Sequence, residues 1–392
     1  MTINRVASID ILRAITMILM IFVNDLWSLT DIPRWLEHVD SGVDGIGLAD
    51  TIFPAFLFIV GLSIPFSIET RKAKGDTDWE LLQHVLIRTI ALLVMGVFFV
   101  NGEEINEITS GIPRHWYNTL CCLSFILIWN FYPKTGNKNW ILIGKGAGIL
   151  ILVSLAVIYR GGEHSTNFSP KWWGILGLIG WAYGVSGLAT IFSKNNFRII
   201  ILAWIYFTLL SIASHAGVIP HGGIFSFIPN PILSGTLVAL TMSGVLTSFI
   251  FRYYFNRNDP KKLIVVFIAL SILLIGLSII TRPYWGLSKL GATPAWLFLC
   301  SAFTILAFVA IYWIADLKHK ANWFDGIKPA GTDTLLCYLI PYFSYAFVSL
   351  SGIRWPEIML TSATGLIKSF LFALLCVWVV SRLNKVGIKL KL

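Results

Sequence analysis

The sequence predicts an all-α, polytopic integral membrane protein with about twelve transmembrane helices in one bundle. Three observations predict it. The chain has 392 residues, of which 56% are hydrophobic and only 13% charged, whereas soluble globular proteins carry roughly 25% charged residues. Its mean hydropathy is +0.76, and its apolar runs recur at roughly the 20-residue length that crosses a hydrocarbon layer. Its basic residues cluster in every second loop, the pattern that orients membrane proteins.

Taken in order, the predicted spans are Ile9–Leu29, Leu48–Ile68, His84–Val100, Trp116–Tyr132, Trp140–Tyr159 and Trp172–Phe192. They continue with Arg198–His215, Ile232–Phe255, Leu263–Ile280, Ala295–Ala315, Thr334–Leu350 and Ile358–Val380. The first run starts only after Asp10 and Arg13 and ends at Asn24-Asp25-Leu26-Trp27 without a small-residue cleavage site, so it reads as a helix and not as a removable signal. One loop set holds Arg71, Lys72 and Lys74; Lys134 and Lys138; Lys194 and Arg198; Arg252, Arg257, Lys261 and Lys262; and Lys318, Lys320 and Lys328. The tail adds Arg382, Lys385, Lys389 and Lys391. The opposite set is acidic or nearly neutral, with Asp31, Glu37, Asp40 and Asp44 and then Glu103, Glu104 and Glu107. The asymmetry predicts a multi-pass inner-membrane protein with both termini cytoplasmic and His38 on the far side.

The net charge of +10 therefore belongs to membrane orientation, and nucleic acid is excluded as a partner; membrane lipids are the expected surroundings. No insert is long enough for a second domain, so residues 1–392 read as one transmembrane domain. The two halves show no repeat of the kind that marks many transporters. Cys121, Cys122, Cys300, Cys337 and Cys376 all lie in apolar runs without metal or haem spacing and read as buried small hydrophobes. No metal site is expected, since the two histidines of HAGVIPHGG, His215 and His221, have no standard ligand spacing.

The chemistry concentrates between Arg5 and Gly61, where two apolar segments flank a loop rich in carboxylates and glycine. Asp10 and Arg13, three apart, share a helix face; they read either as a local ion pair or as an inner-leaflet anchor for a phosphorylated ligand. Asn24 carries an amide that can steady an oxyanion, or it is a helix-end polar group facing water; its neighbour Asp25 reads as surface-facing. His38 is the one histidine of this loop and can accept a proton from an attacking amine or itself attack an acyl group. Asp50, just ahead of Phe53-Pro54, reads as a helix N-cap, as the group that orients His38, or as both. Gly42, Gly45 and Gly47 let the loop turn tightly. Later loops on the same side hold His115, His164, Arg282, Ser288 and Lys289, and aromatic residues such as Trp27, Trp35 and Trp285 are available to stack on a sugar ring.

SIDILRAITMILMIFVN resembles the opening helix of the heparan-alpha-glucosaminide N-acetyltransferase family, with its leucine-aspartate-x-x-arginine-glycine run closing in valine-asparagine. GLADTIFPAFLFIVGLSI resembles that family's second helix, and SKLGATPAWLFLCSAFTIL with the later GTDTLLCYLIPY resembles its C-terminal half. The sequence departs from the pattern at Ala14, where glycine is usual; in a longer stretch between Asn24 and His38; and in IPRHWYNTLCCLSF, which lacks a glutamine-arginine signature. The resemblance implies a bacterial-branch transmembrane acetyltransferase that takes an acetyl group from cytoplasmic acetyl-CoA and delivers it to an amino sugar on the periplasmic side. It makes His38 the catalytic residue; the residues themselves suit His38 to act as general base or acetyl carrier, with Asp50 as orienter and Asn24 as polar clamp. Asp10, Arg13, Ser288 and Lys289 are the expected donor-binding residues. A small-residue run, Gly174, Gly177 and Gly180, is available for packing within or between protomers, and a homodimer is the expected assembly. Two other functions fit a chain of this kind: a secondary transporter or exporter of a small sugar or acid, and a polysaccharide O-acyltransferase.

Overall fold

The structure, a computed structural model, describes residues 6–133, 136–220, 227–390 and 392. Arg5, Lys134, His221, Gly222, Gly223 and Lys391, named above, lie outside the described residues. The principal helices are α1 (Ala7–Asp25), α2 (Leu48–Ala73), α3 (Asp78–Glu103), α4 (Arg114–Trp129), α5 (Lys138–Ile158) and α6 (Ile175–Phe192). They continue with α7 (Phe197–His215), α8 (Thr236–Asn256), α9 (Pro260–Trp285), α10 (Pro294–Tyr312), α11 (Thr334–Ser351) and α12 (Ser362–Lys385). Among the described residues eleven helices are long and apolar enough to cross a membrane. The remaining one, α4, has 16 residues and is about 24 Å long. The twelve predicted segments are all helical, but α4 falls short of a hydrocarbon core of about 30 Å, so among the described residues eleven helices rather than twelve qualify as spans; the chain is an all-α polytopic membrane protein.

The helices run past the apolar segments because polar residues cap them outside. α3 starts six residues before the predicted His84, since Glu80 accepts the backbone N–H of Thr77 at 2.7 Å while Thr77 Oγ1 accepts that of Glu80 at 3.3 Å, a reciprocal capping box. Asp259 accepts the Lys262 N–H at 3.1 Å and opens α9 ahead of Pro260. Thr293 does the same for α10. α10 closes in a wider turn, Trp313–Leu317, where Asp316 accepts the backbone N–H of Ser8 at 3.1 Å.

The chain divides into two compact units, and three of the five divisions fall inside α1, α3 and α6. The first unit comprises Met1–Thr16, Pro33–Ile90 and Leu178–Lys328. Its centre is the α2–α8 pair. A Cβ at Gly61 would lie 1.8 Å from the Thr241 carbonyl oxygen, and one at Gly244 would lie 1.9 Å from that of Phe58, so the two backbones meet with nothing between them. Around this seam Leu57, Phe58, Leu62, Val238, Met242 and Trp296 are buried.

The second unit comprises Met17–Ile32, Ala91–Gly177 and Pro329–Leu392. Phe99 stacks on Tyr342 of α11 with ring centroids 4.4 Å apart and meets Phe125 of α4 edge-on at 5.4 Å. Gly96 sits against Gly177, where a Cβ would come within 2.3 Å of the Gly177 nitrogen, and one at Gly174 would meet the Val100 side chain. Two members of the small-residue run are thus spent inside the protomer. All five cysteines are buried and unpaired.

The α2–α8 seam gives a direct test. Gly61→Val and Gly244→Val should each lower stability by about 1–3 kcal/mol or more through overpacking, seen as a depressed melting temperature in detergent. Gly276→Ala on α9, where an added Cβ meets nothing within 4 Å, should leave the melt unchanged or slightly raised.

Candidate active site

The loop between α1 and α2 returns to the first unit at Pro33. A short turn, Arg34–Leu36, buries Leu36 and delivers His38 to the start of α2. Asp50 is not the N-cap of α2. Gly47 takes that place, and Asp50, at the third helical position, reaches back to accept the Gly47 N–H at 3.0 Å. The same oxygen accepts the Val39 N–H at 3.0 Å, and the other lies 2.7 Å from His38 Nδ1. Asp50 is 2% exposed, and its own carbonyl accepts the indole N–H of Trp296 at 3.0 Å. A side chain at Gly47 would collide with the Glu37 carbonyl oxygen at 1.9 Å, so glycine is required where the loop crosses itself.

An ionised carboxylate only accepts hydrogen bonds. The Asp50 contact therefore assigns the His38 proton to Nδ1 and leaves Nε2 as the ring's acceptor, with Lys289 Nζ 3.5 Å from it. The His38 side chain is 47% exposed while its partner is shut away, so one face of the ring is open to a substrate.

Lys289 stands beside the ring, its Nζ 3.2 Å from Nδ1, 3.5 Å from Nε2 and 4.0 Å from Asp50 Oδ1. Burial pushes its ammonium below the ordinary lysine value of 10.5, and the Asp50 charge pulls it part of the way back. Ser288 bonds within its own turn. Its hydroxyl accepts the Gly291 N–H at 3.0 Å, and its N–H donates to Thr293 Oγ1 at 3.1 Å, so it shapes the turn that presents Lys289. His215 braces that turn through Nε2, 2.9 Å from the Gly291 carbonyl.

Asp44 ties the two loops together. It pairs with Arg282 Nε at 3.0 and 3.1 Å and accepts the Leu287 N–H at 2.7 Å, while Gly45 N–H donates to the Leu287 carbonyl at 2.9 Å. The Leu287 hydrogen bond is the main reason its carboxyl is held below the usual 3.8; desolvation opposes it, and the Arg282 hydrogen bond and charge add to the lowering.

The remaining sequence candidates lie elsewhere. Arg13 bonds Asp10 at 3.1 Å and Ser63 of α2 at 2.6 Å. Ser63 is thirteen residues along α2 from Asp50, about 20 Å away. The four expected donor-binding residues therefore form two groups, Asp10 with Arg13 and Ser288 with Lys289. Asn24 is exposed and falls in the second unit.

Asp25, expected at the surface, is instead 4% exposed. It accepts from Ser369 at 2.6 Å and Tyr345 at 3.0 Å, and pairs with Lys368 at 3.0 Å. The helix turn that points Asn24 outward points its neighbour inward, and a cation and hydroxyls on α11 and α12 compensate the buried charge. Only those distant partners reveal it, so the local sequence gives no signal.

Fold and site define a class: a multi-pass membrane protein carrying an open histidine locked to a buried carboxylate at the end of a helical unit. Residues 5–103 match the family model described as heparan-alpha-glucosaminide N-acetyltransferase, catalytic. The chain is 32% identical over 102 residues to the heparan-alpha-glucosaminide N-acetyltransferase of Mus musculus and 33% over 101 residues to that of Homo sapiens. Each match covers 25% of this chain and 14% of the relative, so it spans a small part of the curated proteins. The family-model match includes Asn24, His38 and Asp50; the C-terminal segments that resemble the family lie beyond it.

Asp44→Asn should lower the melting temperature by releasing Arg282 and weakening the Leu287 bond. Because the folded carboxyl titrates below its unfolded value, the difference from wild type should be full above about pH 5 and shrink as pH falls through and below the ordinary carboxylate range. Melts of both proteins across that range check it.

Proposed function

We propose that this protein is a membrane acetyltransferase that moves an acetyl group from acetyl-CoA to the amine of an amino sugar. The reading is supported by one observation above all: inside the matched region, Asp50 fixes Nδ1 of His38 at 2.7 Å, which leaves Nε2 as the basic nitrogen of a half-exposed ring. In the proposed orientation both termini are cytoplasmic and His38 faces the periplasm of an inner membrane.

The amine arrives protonated and first loses one proton to solvent. As its nitrogen forms the bond to the thioester carbonyl carbon, His38 Nε2 takes a second proton. Collapse of the tetrahedral adduct breaks the carbon–sulfur bond, and the imidazolium returns its proton to the departing thiolate. Asp50 stabilises the imidazolium through the Nδ1 hydrogen bond. The oxyanion role considered for Asn24 passes to Lys289, whose ammonium lies within 3.5 Å of the ring in partly dehydrated surroundings, where charge stabilisation is strong. Asp10 and Arg13 are assigned to the donor's entry end.

His38→Ala should reduce acetyl transfer from labelled acetyl-CoA to glucosamine about 10²–10⁴-fold in proteoliposomes, with the KM for acetyl-CoA little changed. Sugar flux through wild-type vesicles without acetyl-CoA, or an ester as the product, would defeat the proposal. Lys289 acts as the protonated form, so activity should fall as pH rises through a value below the ordinary 10.5, and Lys289→Met should remove that alkaline limb.

A further inference from the structure

Arg88 lies in α3, ten residues beyond Asp78 and so about 15 Å along the helix. Leu86, Ile87 and Ile90 around it are exposed at 41%, 63% and 59%, a face suited to lipid, while Val85 and Thr89 are buried. A guanidinium at such depth is expensive unless something compensates its charge. Among the described residues no carboxylate pairs with it. Its guanidinium carbon lies 4.8 Å from the centroid of the Tyr183 ring, and its Nε is buried without a hydrogen-bond partner. The acids at the ends of these two helices have other partners: Glu69 pairs with Arg252 at 2.8 Å and Asp78 with Lys72 at 2.9 Å.

His84 sits one turn before Arg88 on the same face of α3. Its Nδ1 accepts from Arg71 Nη2 at 3.1 Å, which places the ring proton on Nε2 and makes that nitrogen a donor. Arg71 also reaches Asp76 at 3.0 Å. Arg71 and Arg88 are both within electrostatic range of the imidazole. The α2–α3 end therefore offers two guanidinium groups and an imidazole N–H, and of its carboxylates, Glu69, Asp76, Asp78 and Glu80, only Asp76 bonds a member of that set. Such a set, rich in donors and positive charge, fits an anion with several oxygens; planar guanidinium groups match phosphate in particular. The Tyr183 ring backs the Arg88 plane, and Gly184 and Gly187 hold α6 close enough to α3 to keep it there, since a Cβ on either would crowd Thr89 or Val85 at 2.8–2.9 Å.

We propose that Arg88 and His84, with Arg71 at the rim, form a binding site for a phosphate or pyrophosphate group. The site lies at the end of the first unit away from His38 and does not depend on the acetyl-transfer reading. Two sources carry this chemistry: the phosphates of a nucleotide-bearing acyl donor, and a phospholipid headgroup.

The test uses the full chain in phosphate-free neutral detergent, titrated with pyrophosphate, with CoA and, in native mass spectrometry, with phosphatidylglycerol. Wild type should be thermally stabilised by pyrophosphate, and less so at high salt. Arg88→Gln should weaken this at least tenfold, Arg71→Gln by a smaller factor, and Arg88→Lys should restore part of it. His38→Ala should bind as wild type does, which separates this site from the chemistry proposed at His38. Competition between CoA and pyrophosphate assigns the site to the donor. Retention of phosphatidylglycerol by wild type but not by Arg88→Gln, without CoA competition, assigns it to lipid. The proposal is overturned if no phosphate probe binds wild type, or if a folded Arg88→Gln or Arg71→Gln binds pyrophosphate unchanged.

Discussion

The Asp50 carboxylate is the constraint on which the His38 end of the first unit depends. One buried group, at the third position of α2, reaches back to the Gly47 N-cap, closes the loop at Val39, and holds the imidazole. Its desolvation is tolerable because its oxygens receive two backbone N–H groups and a ring N–H, the compensation a buried charge requires. Trp296, bonded to the carbonyl of the same residue, fixes where α10 begins relative to α2. A cap, a loop lock and a histidine orienter are thus one interaction.

The surrounding loops extend this logic outward. Asp44 and Arg282 fasten the 38–47 segment to the end of α9, and the Ser288–Thr293 turn carries Lys289 to the ring. Each tie is a charge-assisted or backbone hydrogen bond near the aqueous boundary. Deeper in the unit the contacts change character: α2 and α8 meet through bare backbone at Gly61 and Gly244, the close packing that small residues allow between apolar helices.

The helices were legible because hydrocarbon thickness writes their length directly into composition. The soft boundaries were the polar ones, as at Thr77-x-x-Glu80, where a capping box prolongs α3 beyond its apolar run. The His38–Asp50 pairing was legible too, since a twelve-residue loop closing on a helix start leaves few alternatives. That Lys289 meets His38 across 251 residues is tertiary information with no local trace. Asp25 shows the opposite failure: a helix-end aspartate looks like a surface residue until Lys368, Tyr345 and Ser369 are brought to it. Arg88 carried a readable signal, an unpaired cation in an apolar run, but its His84, Arg71 and Tyr183 surroundings required the fold.

One feature of α10 sets a scale for the whole unit. Its first turn touches the carbonyl of Asp50 through Trp296, and its last turn, through Asp316, grips the backbone at Ser8. Twenty residues separate those contacts, about 30 Å of rod. α10 thereby works as a ruler: under the proposed reaction, a carrier gripped near the start of α1 is selected by the reach of its arm before any group on it is recognised.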